Sequence, residues 1–115
     1  MTRTVYKICE RTLWEEGKRT GVLPGAGADA RDGFIHLSTA AQARDTAAKH
    51  FAGAPDLMLI AIDAAALEGA LRWEASRGGD LFPHLYGALP LTAVIWAEPL
   101  PLGADRRHLF PERMA

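Results

Sequence analysis

Apolar and polar residues alternate in some parts of this chain and run together in others, and these patterns predict its strands. Residues 4–9 place β-branched and aromatic side chains in near alternation, which predicts a first strand. Residues 57–62 form a continuous apolar run, which predicts a strand covered on both faces. Residues 92–97, between Pro90 and Pro99, predict a last strand, and shorter strands are predicted over 34–38 and 71–76.

Two capping boxes predict where the main helices begin. In such a box, a threonine hydroxyl accepts the backbone N–H three residues on, and the side chain at that position reaches back. Thr-Leu-Trp-Glu at 12–15 predicts a helix that runs to about Thr20 and ends at Gly21. Thr-Ala-Ala-Gln at 39–42 predicts a helix to about Phe51. Its core-facing stripe comprises Ala40, Ala43, Ala47 and Phe51.

The remaining segments complete an α+β prediction. Residues 22–33 contain several glycines and a proline, which favour turns, and they form the longest predicted loop. Residues from about Gly103 are polar and are expected to form a peripheral tail. Because the strands come in separate groups with two main helices, we expect a single α+β domain over residues 1–115 rather than a regular βαβ sheet.

Composition restricts the classes of function. The chain is 49% hydrophobic and 23% charged, with a net charge of −1, which gives no general attraction to nucleic acid or to an anionic membrane. The single cysteine, Cys9, excludes an internal disulfide and a zinc site built from thiolates. The first residues enter strand-like sequence at once, so we expect a cytoplasmic protein. The sequence does not decide its oligomeric state.

Two histidines lie in apolar, sharply punctuated segments, and a buried imidazole costs free energy unless its nitrogens find partners. His36 shares a strand face with Phe34 and Ser38 and precedes a helix N-terminus, where phosphate or ribose oxygens can be held. The alternative is a histidine bonded to backbone that only fixes the preceding loop. Helix capping explains Thr39 more simply than ligand contact does, and Ser38 is a weaker candidate than His36.

His84 follows Pro83 in the second segment, and Tyr86 can bury its ring while its hydroxyl meets a ligand. The alternative is a packed corner in which both side chains bond to backbone. Glu74 shares a strand face with Arg72 and is a candidate general base, or otherwise one half of a surface ion pair. We therefore assign His36 and Glu74 as candidate catalytic residues.

The candidate ligand-binding residues are His36, Ser38, His84 and Tyr86. A set formed by His36, His84 and Glu74 would also suit a metal ion, but no pair has the helical spacing that makes such a site specific, so no metal residue is assigned. The chain contains no phosphate-binding glycine loop and no serine nucleophile elbow.

Four segments together resemble the bacterial domain-of-unknown-function 952 family: GFIHLSTAAQ at 33–42, LIAID at 59–63, LRWE at 71–74 and FPHLYG at 82–87. The resemblance extends from about Tyr6 to the strand around Ile95. It implies a fold related to the ADP-ribosyltransferases, α+β, with two antiparallel sheets packed at an angle around a cleft. The family itself carries no established reaction.

Related enzymes of that fold bind NAD in the cleft, hold the ribose with an early Arg or His, and use a later Glu to support an oxocarbenium-like transition state. Residues 34–38 are similar to the Val-His-Leu-Ser segment of the tRNA 2′-phosphotransferases, which implies the ribose-holding role for His36. Glu74 is the carboxylate that this resemblance suggests. The Arg-Ser-Glu triad and the Gln/Glu-x-Glu motif of toxins are not found in this sequence.

Three hypotheses follow. The first is a site for NAD or a nucleotide-like ligand, on a scaffold suited to ADP-ribosyl or phosphoribosyl transfer, in which His84 and Tyr86 wall the pocket. The second is a non-catalytic module that binds a small molecule or a partner protein. The third is a metal site. The residues alone do not decide whether the protein is an enzyme.

Overall fold

The computed structural model describes residues 3–25, 27–67, 69–75 and 77–114. In these ranges the chain forms three α-helices: α1 Arg11–Thr20, α2 Ala28–Asp32 and α3 Ala40–His50. The strands are β1 Thr4–Glu10, β2 Val22–Leu23, β3 Ile35–His36, β4 Leu57–Asp63, β5 Leu71–Ala75, β6 Leu81–Leu85, β7 Leu89–Pro90 and β8 Val94–Leu100. Short 3-10 turns cover Ala64–Leu67, Arg77–Gly79, Leu91–Ala93 and Glu112–Met114.

The strands make three antiparallel groups, which confirms the α+β class. A first sheet has the order β1-β4-β8, a second has the order β3-β6-β5, and β2 pairs with β7. The predicted pair of main helices corresponds to α1 and α3, and α2 is a short addition. Within the described residues, no helix has the length and apolar character needed to cross a membrane.

The central strand β4 is buried on both faces, as its continuous apolar run predicts. Ile60 and Ile62 point into a core cluster that α1 covers with Leu13 and Trp14. On the opposite face, Leu59 belongs to a second cluster, which α3 covers through its alanine stripe. Each fully buried leucine or isoleucine contributes about 1.5–3 kcal/mol of transfer free energy, so β4 anchors both layers.

The second predicted capping box is confirmed and the first is wrong. At α3, Gln42 N–H donates to Thr39 Oγ1 at 3.2 Å, and Gln42 Oε1 accepts the Thr39 N–H at 3.1 Å. At α1, the helix begins at Arg11 and its N-cap is Glu10, whose side chain makes no cap hydrogen bond. Strand β1 runs directly into this helix, so Thr12 lies within the first turn and its hydroxyl cannot cap it. The end at Gly21, with φ 87°, agrees with the prediction.

Residues 22–33 are more regular than the predicted loop. They contain β2, which pairs with β7, and the five-residue helix α2. Gly33 ends α2 with φ 82°, a conformation that suits glycine. Both elements depend on partners far along the chain, which explains why the local composition indicated only turns.

Proline is a poor guide to strand ends in this chain. Pro83 lies inside β6, the middle strand of the second sheet, whereas the alternative interpretation of this segment was a packed corner. Its carbonyl accepts the Leu37 N–H at 3.1 Å, so Pro83 still contributes one bond to the sheet. Pro99 lies inside β8, an edge strand, where a missing N–H is tolerated.

The predicted peripheral tail is also wrong in part. Met114 is buried in the second core cluster, and Phe110 packs against that cluster. His108 Nε2 lies 2.9 Å from the carbonyl oxygen of Ala54, which ties the segment to the turn between α3 and β4. The C-terminal segment is therefore part of the packed domain.

The two threonines provide a direct test of capping. We expect Thr39→Ala to lower the free energy of unfolding by about 1 kcal/mol, because it removes the side-chain acceptor at an N-cap. Thr12→Ala is the matched control: it changes an exposed position inside a helix, where alanine has the higher helix propensity, so unfolding should be unchanged or slightly harder. Urea denaturation measures both, and an equal loss in the two variants would contradict this account.

Candidate functional site

The site lies where the chain passes from one sheet to the other. After β3 pairs with β6, Leu37 N–H donates to the Pro83 carbonyl at 3.1 Å. One residue later the pairing moves to the first sheet: Tyr6 N–H donates to the Ser38 carbonyl at 2.7 Å, and Ser38 N–H donates to the Tyr6 carbonyl at 2.9 Å. This short segment therefore joins the two sheets, and a cleft opens beside it.

His36 is held between two carboxylates of α2. Its Nδ1 lies 2.6 Å from Asp29 Oδ1, and its Nε2 lies 3.0 Å from Asp32 Oδ2. Its backbone N–H also donates to Asp29 Oδ1, at 2.9 Å. Ionised carboxylates only accept hydrogen bonds, so both ring contacts are made at once only when both nitrogens carry hydrogen. The histidine thus fastens α2 against β3.

Asp29 in turn pairs with a buried lysine of β1. Lys7 Nζ lies 2.6 Å from Asp29 Oδ2 and 3.5 Å from the His36 carbonyl oxygen. The two side chains are only 8% and 4% exposed. Burial alone would raise the pKa of Asp29, but the charge of Lys7 and the hydrogen bonds from Lys7 and His36 outweigh it and lower that pKa. Asp29 therefore stays ionised in the interior.

A second polar cluster surrounds His84. His84 Nδ1 lies 2.8 Å from Glu74 Oε1, and the Tyr86 hydroxyl donates to the same oxygen at 2.7 Å. These bonds, from Tyr86 first and then from His84, lower the pKa of Glu74. The bond to Glu74 raises the pKa of the Tyr86 hydroxyl. The carboxylate thus holds an imidazole and a phenol together.

Phe34 joins the two clusters. Its ring stacks on His84 with centroids 4.1 Å apart, and it lies 4.6 Å from the His36 ring and 5.2 Å from the Tyr86 ring. His36 and His84 are direct register partners across β3 and β6, and their ring centroids are 5.6 Å apart. The opposite face of this sheet carries Ile35, which packs into the core. Both imidazoles consequently point away from the core.

Both histidines border a cleft of about 770 Å³, which is lined by residues of β1, β6 and all three helices and by the segment 36–38. The charged residues that line it are, among those described, Lys7, Glu10, Glu16, Asp29, Arg31 and Asp32. Lys7 is bound to Asp29, and Arg31 Nε lies 3.0 Å from Asp32 Oδ1. Each of these two cations is therefore already paired with a carboxylate. The four carboxylates outnumber the two cations, and the rings of His36, His50 and His84 also line the cleft.

A family model described as "Protein of unknown function (DUF952)" matches residues 8–97. This chain belongs to the DUF952 family. No curated protein matches it.

Three similar solved structures are of protein CC0527 from Caulobacter crescentus. Its X-ray structure is 43% identical to the DUF952 chain described here, with a TM-score of 0.91, and the match covers 96% of this chain and 97% of that one. A solution NMR structure of CC0527 gives 46% identity and a TM-score of 0.81, with 90% of each chain covered. The α+β fold of this DUF952 protein is therefore also that of its relative.

The predicted site residues lie near one another but differ in their access to the cleft. His36 and His84 border it, whereas Glu74 and Tyr86 are not among the described residues that line it and are both partly exposed to solvent. Ser38 lines the cleft but is buried, and its Oγ lies 3.0 Å from Thr46 Oγ1. The direct ligand contacts predicted for Glu74 and Tyr86 thus remain predictions, and here both residues contact His84.

The described residues contain no group of three His, Cys, Asp or Glu side chains arranged to hold a metal ion. Glu74 is bonded to His84, while His36 turns both nitrogens to other carboxylates. The metal hypothesis therefore gains no support from this geometry.

Three residues of the site were not predicted from the sequence: Asp29, Lys7 and Phe34. Lys7 carried a signal, since it is a charged residue in the middle of an otherwise apolar strand, where burial requires a partner. Asp29 lies in an alanine- and glycine-rich stretch that gives no such signal. Phe34 was placed on the His36 face but was not recognised as the ring that joins both histidines.

The buried pair predicts a strong asymmetry between single and double substitutions. We expect Lys7→Met to lower the free energy of unfolding by about 3–5 kcal/mol, because it leaves the Asp29 carboxylate buried without its cation. Adding Asp29→Asn should recover part of this loss, because the uncompensated charge is gone. Urea denaturation of Lys7→Met, Asp29→Asn and the double variant measures this. A double variant that is less stable than Lys7→Met by the full loss seen in Asp29→Asn would contradict the coupling.

Acid should weaken the buried ion pair between Lys7 and Asp29. Because the pKa of Asp29 is lower in the folded chain than its ordinary 3.8, its contribution is fully present above that value and is lost as the pH falls through the lower folded value. The stability gap between the wild type and Asp29→Asn should therefore narrow from pH 7 to pH 3. Asp56→Asn is the control, since Asp56 forms an exposed pair with Arg11 and its gap should be small at both values. An unchanged gap for Asp29→Asn would contradict this account.

Proposed function

We propose that the cleft binds a small polar molecule that carries a ribose or a similar polyol, with His36 and His84 at its wall. The observation that supports this is the meeting of two imidazoles from different strands, 5.6 Å apart, beside a 770 Å³ space. Cavities of about 300–1,000 Å³ hold small ligands in proteins. A purely structural histidine pair would have no need of an adjoining cleft.

Charge favours the sugar part of such a ligand over a phosphate. Among the described lining residues four are acidic, two are lysine or arginine and three are histidine, and the lysine and the arginine are already bound to carboxylates. Hydroxyl groups donate hydrogen bonds, which carboxylates accept, whereas a pyrophosphate would be repelled. A nucleoside is therefore the preferred ligand class, and an intact dinucleotide ranks below it.

NAD is the second candidate. The resemblance to ADP-ribosyltransferases implies it, and His36 lies on a strand beside the cleft, where that resemblance places the ribose-holding residue. In a transferase of that kind Glu74 would act through His84, because the contacts of its carboxylate are with His84 and Tyr86. A ligand that binds without being converted would instead identify a non-catalytic module.

Thermal denaturation with added adenosine, AMP, ADP-ribose and NAD tests the proposal. A ligand at one hundred times its Kd stabilises a fold by about 2.7 kcal/mol. We expect adenosine to raise Tm the most and the diphosphates the least. His36→Ala should weaken adenosine binding about tenfold, which equals about 1.4 kcal/mol. His108→Ala, away from the described cleft lining, is the control and should keep the wild-type shift relative to its own ligand-free Tm.

Each result is decisive. No shift with any of the four compounds would overturn the proposal. A larger shift with NAD than with adenosine would overturn the charge argument and favour the second candidate. Release of nicotinamide from NAD, followed by chromatography, would identify a transferase or hydrolase rather than a binding module.

A further inference from the structure

His84 differs from His36 in how its nitrogens are used. Its Nδ1 faces the Glu74 carboxylate at 2.8 Å, and the lowered pKa of Glu74 keeps that group ionised near neutral pH. A carboxylate accepts hydrogen bonds but cannot donate them, so the hydrogen of the neutral ring lies on Nδ1. The lone pair is then on Nε2.

The ring is held in place from two further directions. The Tyr86 hydroxyl donates to the same Glu74 oxygen at 2.7 Å, which limits the motion of the carboxylate. Phe34 stacks on the imidazole at 4.1 Å with an interplanar angle of 27°, which sets the plane of the ring. The His84 side chain is only 8% exposed, and the residue borders the cleft.

His36 cannot offer a nitrogen lone pair to a ligand without losing a contact. Both of its nitrogens face carboxylates, at 2.6 Å and 3.0 Å. A ligand hydroxyl that gave a proton to His36 Nε2 would first have to displace Asp32. The two histidines therefore have separate tasks: His36 fastens α2 while it borders the ligand space, and His84 supplies a ring nitrogen with a lone pair.

We infer that His84 Nε2 is the acid–base group of this cleft and that Glu74 is its positioning residue. In the step, the O–H bond of a ligand hydroxyl or of a water breaks, an N–H bond forms at Nε2, and the electron pair of the O–H bond stays on the oxygen, which becomes a nucleophile. The positive charge on the ring is balanced by Glu74. This inference rests on the proposed binding function for its substrate, and it adds general-base activation of a hydroxyl as the reaction class.

The tautomer of His84 can be measured on the ligand-free protein. Long-range ¹H–¹⁵N correlation spectra above neutral pH distinguish Nδ1–H from Nε2–H rings, and a His84→Asn variant assigns the signal among the four histidines. We expect Nδ1–H in the wild type, in Glu74→Gln, whose amide oxygen still accepts, and in Tyr86→Phe. Glu74→Ala should shift the ring toward Nε2–H. An Nε2–H ring in the wild type, or a tautomer that Glu74→Ala leaves unchanged, would overturn the inference.

Chemical modification separates this inference from the binding proposal. Diethyl pyrocarbonate attacks an imidazole nitrogen that carries a lone pair, and mass spectrometry of peptides identifies the residue. We expect His84 to react faster than His36; the reverse order would overturn the assignment of tasks. Adenosine should slow the reaction at His84. Fast reaction without protection by adenosine, AMP or NAD would retain the acid–base group and reject the proposed ligand class.

Discussion

The buried carboxylate of Asp29 is the contact on which the site depends. It binds Lys7 on β1 and both the backbone and the ring of His36 on β3, so one side chain ties together the first sheet, the second sheet and α2. A single negative charge in the interior is unfavourable unless it is compensated, and here a cation and two N–H groups compensate it. The relative positions of the cleft walls follow from this arrangement.

The segment from β3 to Ser38 joins the two sheets and lines the cleft. Its backbone bonds first to β6 and then to β1, so the segment changes from the second sheet to the first between Leu37 and Ser38. Alternation along the strand then directs Ile35 to the core and His36 to the open side. The same alternation therefore places the two histidines at the cleft and their apolar neighbour in the core.

The two histidines show how similar sequence settings acquire different chemistry. Both lie in short apolar segments, and they oppose each other in the sheet. Each ring nitrogen of His36 contacts a carboxylate, and these contacts hold α2 against β3. In His84 only Nδ1 contacts a carboxylate, that of Glu74, which also accepts a hydrogen bond from Tyr86. The number and placement of acidic neighbours, rather than the histidine itself, distinguishes a fixed group from a reactive one.

The local sequence pattern was sufficient to predict the structure where a residue's environment depends on residues close to it in the chain. The apolar run of β4, the capping box of α3 and the shared face of Phe34 and His36 all follow from spacings of two to four residues. Tertiary contacts decided the rest. Lys7 and Asp29 are 22 positions apart. Pro83 lies inside β6, which pairs with β3 on one side and β5 on the other. Those contacts form only when the sheets assemble, and no short window of the sequence contains both partners.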